Sequence, residues 1–532
     1  MRRRFGWWVL VLALIAATSL AVACGDDDDD DTSADDDIGD DDDDTDDDTE
    51  CRGAVCDEDD DDTTIDGVDF SNDPPTNPYL AGDIWPMSHR NPYCQGSSPY
   101  PGPTSDDGLH ASFLTGTPAS ITMTTGLQDE SGDAPLWGST LNEVYLIDAS
   151  EQPMVELSVI RKPKGVSNPI GGAYTLADAD GFFFVPRNNR LYAYRNNPAG
   201  NPYRKIVLAG IYTLPGDSDE ESIIGLNMTY DGFLVYATDR GRIGVVSRDF
   251  SDEQVFQLSD EDEEMSNSIA VDENGGVYVV TSKFMHRVQW TGEELTQDTA
   301  AGAWSAAYET GPEDRPPGRL GVGSGSTPSL MGIGDQDKFV VITDGQILMH
   351  LVLFWRDEIP EDWEPIAPGK DRRIAAEVPI TFGDPEAEIS SSEQSVLVRG
   401  YDAVVVSNYY GRFALPSYFA ALVSNFPLWA PYGVEKFSWN PTTRTLEQAW
   451  VNADISCPNA IPTMSEGSGL FYCIGQRDAE WTLEAIDWET GASAFHHLLG
   501  PDIKYNSYYA GTQVGPHDNI VTGTFLGTLD FR

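Results

Sequence analysis

The sequence predicts an all-β protein assembled from repeated four-stranded units, and three observations carry the prediction. Beyond residue 110, short runs of Val, Ile, Tyr and Phe alternate with Gly, Asp and Asn, the pattern of many short antiparallel strands. Long amphipathic helical periodicity is missing. The chain also repeats itself. "GGAYTLADADGFFFVPRNNRLYAYR" from Gly171, "IIGLNMTYDGFLVYATDRGRIGVVSR" from Ile223 and "NSIAVDENGGVYVVTSKFMHRVQW" from Asn267 share one plan. Each reads as a small-residue strand, a tight turn, an apolar strand, another turn and a third strand. Fourth strands follow, such as "YRKIVLAG" and "EQVFQLSD". Meanders of about 40 to 65 residues with these turn spacings are the blades of a β-propeller. Stacked β-sandwiches share the spacing but not the repetition.

The elements follow in chain order. Arg2, Arg3 and Arg4 precede the apolar run "WWVLVLALIAATSLAVA", and Cys24 follows it, so residues 1–23 read as a secretory leader. Residues 24–83 read as a disordered acidic stalk. Of the net charge of −56, residues 26–62 hold −23 through 22 Asp, 2 Glu and one Arg; the three leader arginines hold +3 and residues 63–532 hold −36. Such a run has nothing apolar to bury, and its like charges stretch it. Fully extended, it reaches on the order of 130 Å. Its carboxylates would bind divalent cations weakly and without fixed geometry. The acidic body excludes nucleic acid and anionic lipid as electrostatic partners.

Residues 84–532 form the propeller. They open on "IWPMSHRNPYCQGSSPYPGPT", too rich in proline for a helix or central strand and too aromatic for a plain linker. Small residues recur on the first strands (Ala173, Gly225, Ser268, Ser395 and Gly511), where inner strands crowd the axis. Asp231-Gly232 and Asn274-Gly275 suit tight hairpins in which both central residues take positive φ.

The small residues before Cys24 resemble the lipobox of bacterial lipoproteins, with Ala21 where that family prefers Leu; the resemblance makes Cys24 the lipid-bearing first residue. The alternatives are an ordinary signal peptide or an uncleaved anchor. "WPMSHRNPYCQGSSPYPGP" at 85–103 and "LEAIDWETGASAF", with Asp487, Thr490 and Gly491 in register and Phe495 for the usual Trp, resemble the PQQ-like, quinoprotein-type β-propellers. That resemblance implies eight blades, with seven as the alternative. It also makes "HASFLTG" at 110–116 the outer strand that closes the last blade, after the Pro/Trp segment has run along the ring with Trp85 and Tyr93 packed there. The family includes quinone-dependent alcohol dehydrogenases, but their adjacent Cys-Cys pair is missing from this sequence. PQQ is therefore not expected, and no other cofactor is.

Catalytic chemistry is faint. "GVGSGSTP" from Gly321 lacks the nucleophile-elbow spacing and reads as a loop. His496 and His497, adjacent on a strand, point to opposite faces and make poor metal partners. "DADG" from Asp178 lacks the remaining ligands of a calcium loop. No catalytic or metal residue is assigned. Cys457 with Cys473, and Cys51 with Cys56, are disulfide candidates, which leaves Cys94 over. Asn267, Thr327, Glu393 and Gln394 sit at equivalent leading ends of inner strands. They could line an axial funnel, or simply satisfy loop backbone groups. Trp363, in the insertion at 356–373, is a candidate partner anchor.

The reading that results is a monomeric, lipid-anchored propeller that binds or scaffolds an envelope protein. It would sit at the outer membrane, the cell surface or the periplasmic face. The alternatives are an outer-membrane assembly factor and a propeller hydrolase or oxidoreductase with an axial site.

Overall fold

A computed structural model describes residues 64–65 and 68–532, apart from 117–121, 129–132, 151, 164–172, 198–204, 217–219, 259–262, 314–318, 412–425 and 525. The leader, Cys24, Cys51, Cys56 and the acidic run to residue 62 lie outside the described residues.

Eight antiparallel sheets follow one another along the chain, and each is a blade whose strands run from the axis outward. The inner strands are Thr122–Thr125, Leu176–Ala177, Ile223–Met228, Ala270–Val271, Ser329–Met331, Leu397–Arg399, Thr463–Ser465 and Thr512–Val514, for the first to the eighth blade. The outermost strands mix exposed and part-buried positions; Val155–Arg161 of the first blade is an example. In the fourth blade the outer position is shared by Leu295–Thr296 and Trp304–Ala307, which both pair with Phe284–Trp290.

Apolar side chains from neighbouring blades meet between the sheets. One cluster joins Ile224, Val235 and Ile243 of the third blade to Ile269, Val271 and Val277 of the fourth. Burial of both faces explains why the middle strands are continuous apolar runs such as "FLVYAT" and "FVVIT" rather than alternating ones. The crowding expected at the axis is present at Gly225, where an added Cβ would lie 2.9 Å from Ser268 Cα. Gly511 differs, with open space around its Cα.

The ring closes as the resemblance implied. Ala111–Thr115 pairs antiparallel with Gly527–Phe531 at the chain's end, Leu529 opposite Phe113. Closure removes the open edges that would invite aggregation.

Two expectations need correction. The inner hairpins of the second, third and fourth blades share one turn, and in it only the glycine (Gly181, Gly232 or Gly275) is left-handed. The Gly232 amide donates to Thr229 O, and the Thr229 amide donates to Phe233 O. This is the longer turn in which a single left-handed glycine completes a bulge, so Asp231 and Asn274 need no positive φ. "DADG" is the same turn, with Asp178 Oδ1 accepting the Asp180 and Phe182 amides. The second correction concerns the stalk boundary at 83. Residues 68–83 pack on the propeller: Leu80 is buried and bridges to Asp178, and Asp73 forms ion pairs with Arg90 and Arg399. Two buried guanidinium groups require a carboxylate, and this acidic stretch supplies it.

Candidate functional site

The axis is where a ring of blades would leave a channel, and here the chain's own opening segment occupies it. Backbone N–H groups of six inner strands turn toward it. The Thr125 amide donates to Trp85 O and the Ala177 amide to Pro86 O. The Val271 amide donates to Pro92 O, Leu330 to Tyr93 O, Val398 to Gln95 O and Met464 to Gly96 O. The Asn227 side chain brings in the third blade, donating to Pro92 O at 3.0 Å. Residues 85–98 therefore visit blades one to seven in order. They end as a short strand, Ser97–Ser98, parallel to Thr463–Ser465.

This accounts for the composition of the segment. A strand regular enough to pair with one blade could not turn through seven. His89, Arg90 and Cys94 take left-handed backbone conformations to make the turn. Trp85 and Tyr93 pack as expected, 4% and 0% exposed, but across the inner strands rather than along the ring. Tyr93 lies under the Arg356 guanidinium, 4.9 Å from ring centroid to Cζ, and its hydroxyl donates to Glu273. Cys94 is a buried free thiol that donates to Ile269 O, and burial raises its pKa well above the ordinary thiol value. Burial also lowers the pKa of the His89 imidazole, to about 4, and keeps the ring neutral.

Beside this plug lie the four residues predicted for a funnel. Three of them reach the neighbouring blade. Asn267 donates to Ser324 O at 2.9 Å. The Glu393 carboxylate pairs with the buried Arg319 guanidinium at 3.3 Å, and Gln394 donates to Pro458 O at 2.6 Å. Asn408 donates to the same Pro458 O, and Asn459 continues the belt to Asn506 in the eighth blade. Thr327, fully buried, sits beside the Tyr174 hydroxyl of the second blade. The His89 ring of the plug lies 5.8 Å from the Tyr174 ring of the second blade. Asn267 and Gln394 thus tie adjacent blades through loop carbonyls, and Glu393 does so through Arg319. Sequence reasoning missed Arg319, Asn408 and Tyr174, because nothing in their local patterns marks them as facing the axis.

Other candidates resolve in the same way. Trp363 turns inward, edge-on to Trp355 with ring centroids 5.2 Å apart, and donates to Ile374 O. It anchors its own insertion to the fifth blade and stays partly exposed. Cys457 and Cys473 form a disulfide in the seventh blade. "GVGSGSTP" is the loop entering the fifth inner strand, its Gly323 O bound by Arg319. His497 bonds Asp106.

One group of metal-ligand types converges among the described residues: Asp344, His350 and Glu377 bring ligand atoms within 4.8 Å of one another. A donor already stands among them. The Gln346 side-chain nitrogen lies 2.7 Å from Asp344 Oδ2, 3.0 Å from His350 Nδ1 and 3.1 Å from Glu377 Oε1. Lys370 neutralises Glu377 at 2.7 Å. The carboxylates are satisfied as hydrogen-bond acceptors, and a cation would have to displace both donors.

Comparisons with known proteins place this geometry. No family model matches the chain. Among solved structures, a europium-containing methanol dehydrogenase superposes with a TM-score of 0.53 at 12% identity, covering 84% of this chain and 90% of that one. The quinohemoprotein alcohol dehydrogenase from Comamonas testosteroni gives 0.51 at 12% identity, covering 85% and 81%. At such identity the likeness is one of fold, a quinoprotein-like β-propeller. An uncharacterized protein of Archaeoglobus fulgidus is 45% identical over 470 residues, which is 86% of this chain and 89% of that protein. The chain therefore belongs to the family of this Archaeoglobus fulgidus protein, and carries within it the quinoprotein-like, eight-bladed propeller.

Proposed function

We propose that the protein is a lipid-anchored extracytoplasmic propeller that binds or scaffolds an envelope protein on its outer surfaces. The observation that carries this reading is the plug. Residues 85–98 fill the axial position where a propeller would otherwise hold a small molecule, and they hydrogen-bond the inner strands while doing so. The ionisable groups beside the plug favour the same reading. Arg319 and Glu393 are spent on each other, and His89 is held neutral. The reading invokes no quinone. The sequence adds the leader at residues 1–23, Cys24 after it and the acidic run to residue 62. In this reading Cys24 carries lipid, and the stalk spaces a monomeric propeller from the membrane while holding divalent cations loosely. The protein sits at the outer membrane, the cell surface or the periplasmic face, and the body's charge keeps it clear of nucleic acid.

The test is affinity isolation of the full-length protein from detergent-solubilised native membranes, beside a Cys24→Ala form. An envelope protein recovered in stoichiometric amount, and competed away by free propeller, supports the reading. Release of the Cys24→Ala form into the soluble fraction supports the anchor. Isolation of the bare protein, or a Cys24→Ala form that stays with membranes, overturns the corresponding part.

A further inference from the structure

Away from the axis, the sixth blade carries a cleft of about 550 Å³. One wall is the connection from the fifth blade and holds Phe382, Glu386 and Glu388. The other wall holds Tyr409 after the second strand of the blade, and Trp429 and Tyr432 before the third. The volume suits a small organic ligand.

Its walls are braced from behind. The Glu435 carboxylate accepts the Thr381 and Phe382 amides at 2.9 and 2.8 Å, which fixes the first wall to the third strand. Phe382 lies so close to Gly433 that an added Cβ there would come within 2.6 Å of Phe382 Cβ. On the second wall, Gln476 of the seventh blade donates to the Tyr432 hydroxyl at 2.8 Å, and Ser456 donates to Pro431 O at 2.7 Å. Both walls are therefore held before any ligand arrives.

The lining combines aromatic rings with carboxylates. Asp384, Glu386 and Glu388 border the cleft, and no Lys, Arg or His is among its described lining residues. Aromatic rings attract a cation through their quadrupole, and neighbouring carboxylates add to that attraction. The net charge of −36 on residues 63–532 raises the local concentration of cations further. A neutral or anionic ligand gains from none of these terms. We propose that this cleft binds a small organic cation with a quaternary or fully alkylated ammonium head. Such a head is weakly hydrated, presents methyl groups to the rings and needs no hydrogen-bond acceptor. This site is independent of the partner-binding reading above.

The test uses the full-length protein in a maltoside detergent, titrated calorimetrically with choline and with 3,3-dimethyl-1-butanol, its neutral isostere. The expected result is saturable choline binding, with the isostere at least tenfold weaker. Trp429→Ala and Glu386→Gln should each weaken choline at least fivefold while leaving the thermal midpoint within 2 °C of the parent, values set on the order of one cation–π contact. Equal binding of the two compounds overturns the inference. So does the absence of saturable choline binding, or a Trp429→Ala protein that binds choline as the parent does.

Discussion

Asp73 and Arg399 form an ion pair that joins a stretch with the composition of a stalk to the inner strand of the sixth blade; their side chains are 8% and 3% exposed. Arg399 also reaches Glu466 in the seventh blade, and Asp73 also holds Arg90 of the plug. A single carboxylate therefore connects the N-terminal segment, the plug and a blade.

Removing that carboxylate leaves two buried guanidinium groups short of charge. Asp73→Asn should lower the unfolding free energy by about 3 kcal/mol, because the burial of each Arg stays while its partner is lost. Urea denaturation measures this, and a double-mutant cycle with Arg399→Gln should show strong coupling. Additive effects would mean that the pair contributes nothing.

Inner-strand crowding separates two glycines. Gly225→Ala places a methyl group against Ser268 Cα and should cost about 1–3 kcal/mol, since neither backbone can yield. Gly511→Ala meets nothing within 4 Å and should be neutral in the same denaturation assay.

His89 gives the plug a pH dependence. Its folded pKa, lowered to about 4 by burial, lies below the ordinary value of 6.5, so the unfolded chain takes up the proton first. The resulting stability is present in full above pH 6.5 and is lost as pH falls toward 4. His89→Asn, in which asparagine tolerates the left-handed backbone, should flatten the fall measured between those two pH values.

Cysteine chemistry should divide cleanly in a chain beginning at Thr63. Reducing Cys457–Cys473, whose members are 16 residues apart, should cost about 3 kcal/mol by releasing the unfolded loop. Cys94 should resist a thiol reagent under native conditions and react once the chain unfolds, because it is buried and its thiol stays protonated.

Strand content and blade plan were readable because each blade repeats a local pattern: small inner strand, turn glycine, apolar middle strands. Asp178, Thr229 and Asp272 open the same turn in three successive blades, and that signal lies within a few residues. The funnel positions were readable only as places. Asn267 and Gln394 look alike in sequence, but their partners, Ser324 O and Pro458 O, lie on other blades. Trp363 illustrates the opposite difficulty. An aromatic in a charged insertion has no local feature that says whether it faces outward or folds back onto Trp355.

The sequence by itself determined the elements, because strand period, turn chemistry and repetition act over short distances; the closing strand at 110–116 was implied only by the family resemblance. The sequence also marked residues 84–104 as neither strand, helix nor linker. Only the tertiary structure decided where that segment goes. Its partners are backbone N–H groups of six different blades and one asparagine side chain of a seventh, and backbone groups carry no residue identity that a sequence could display. The same holds for Asp73, whose charge reads as stalk until two distant arginines are buried against it.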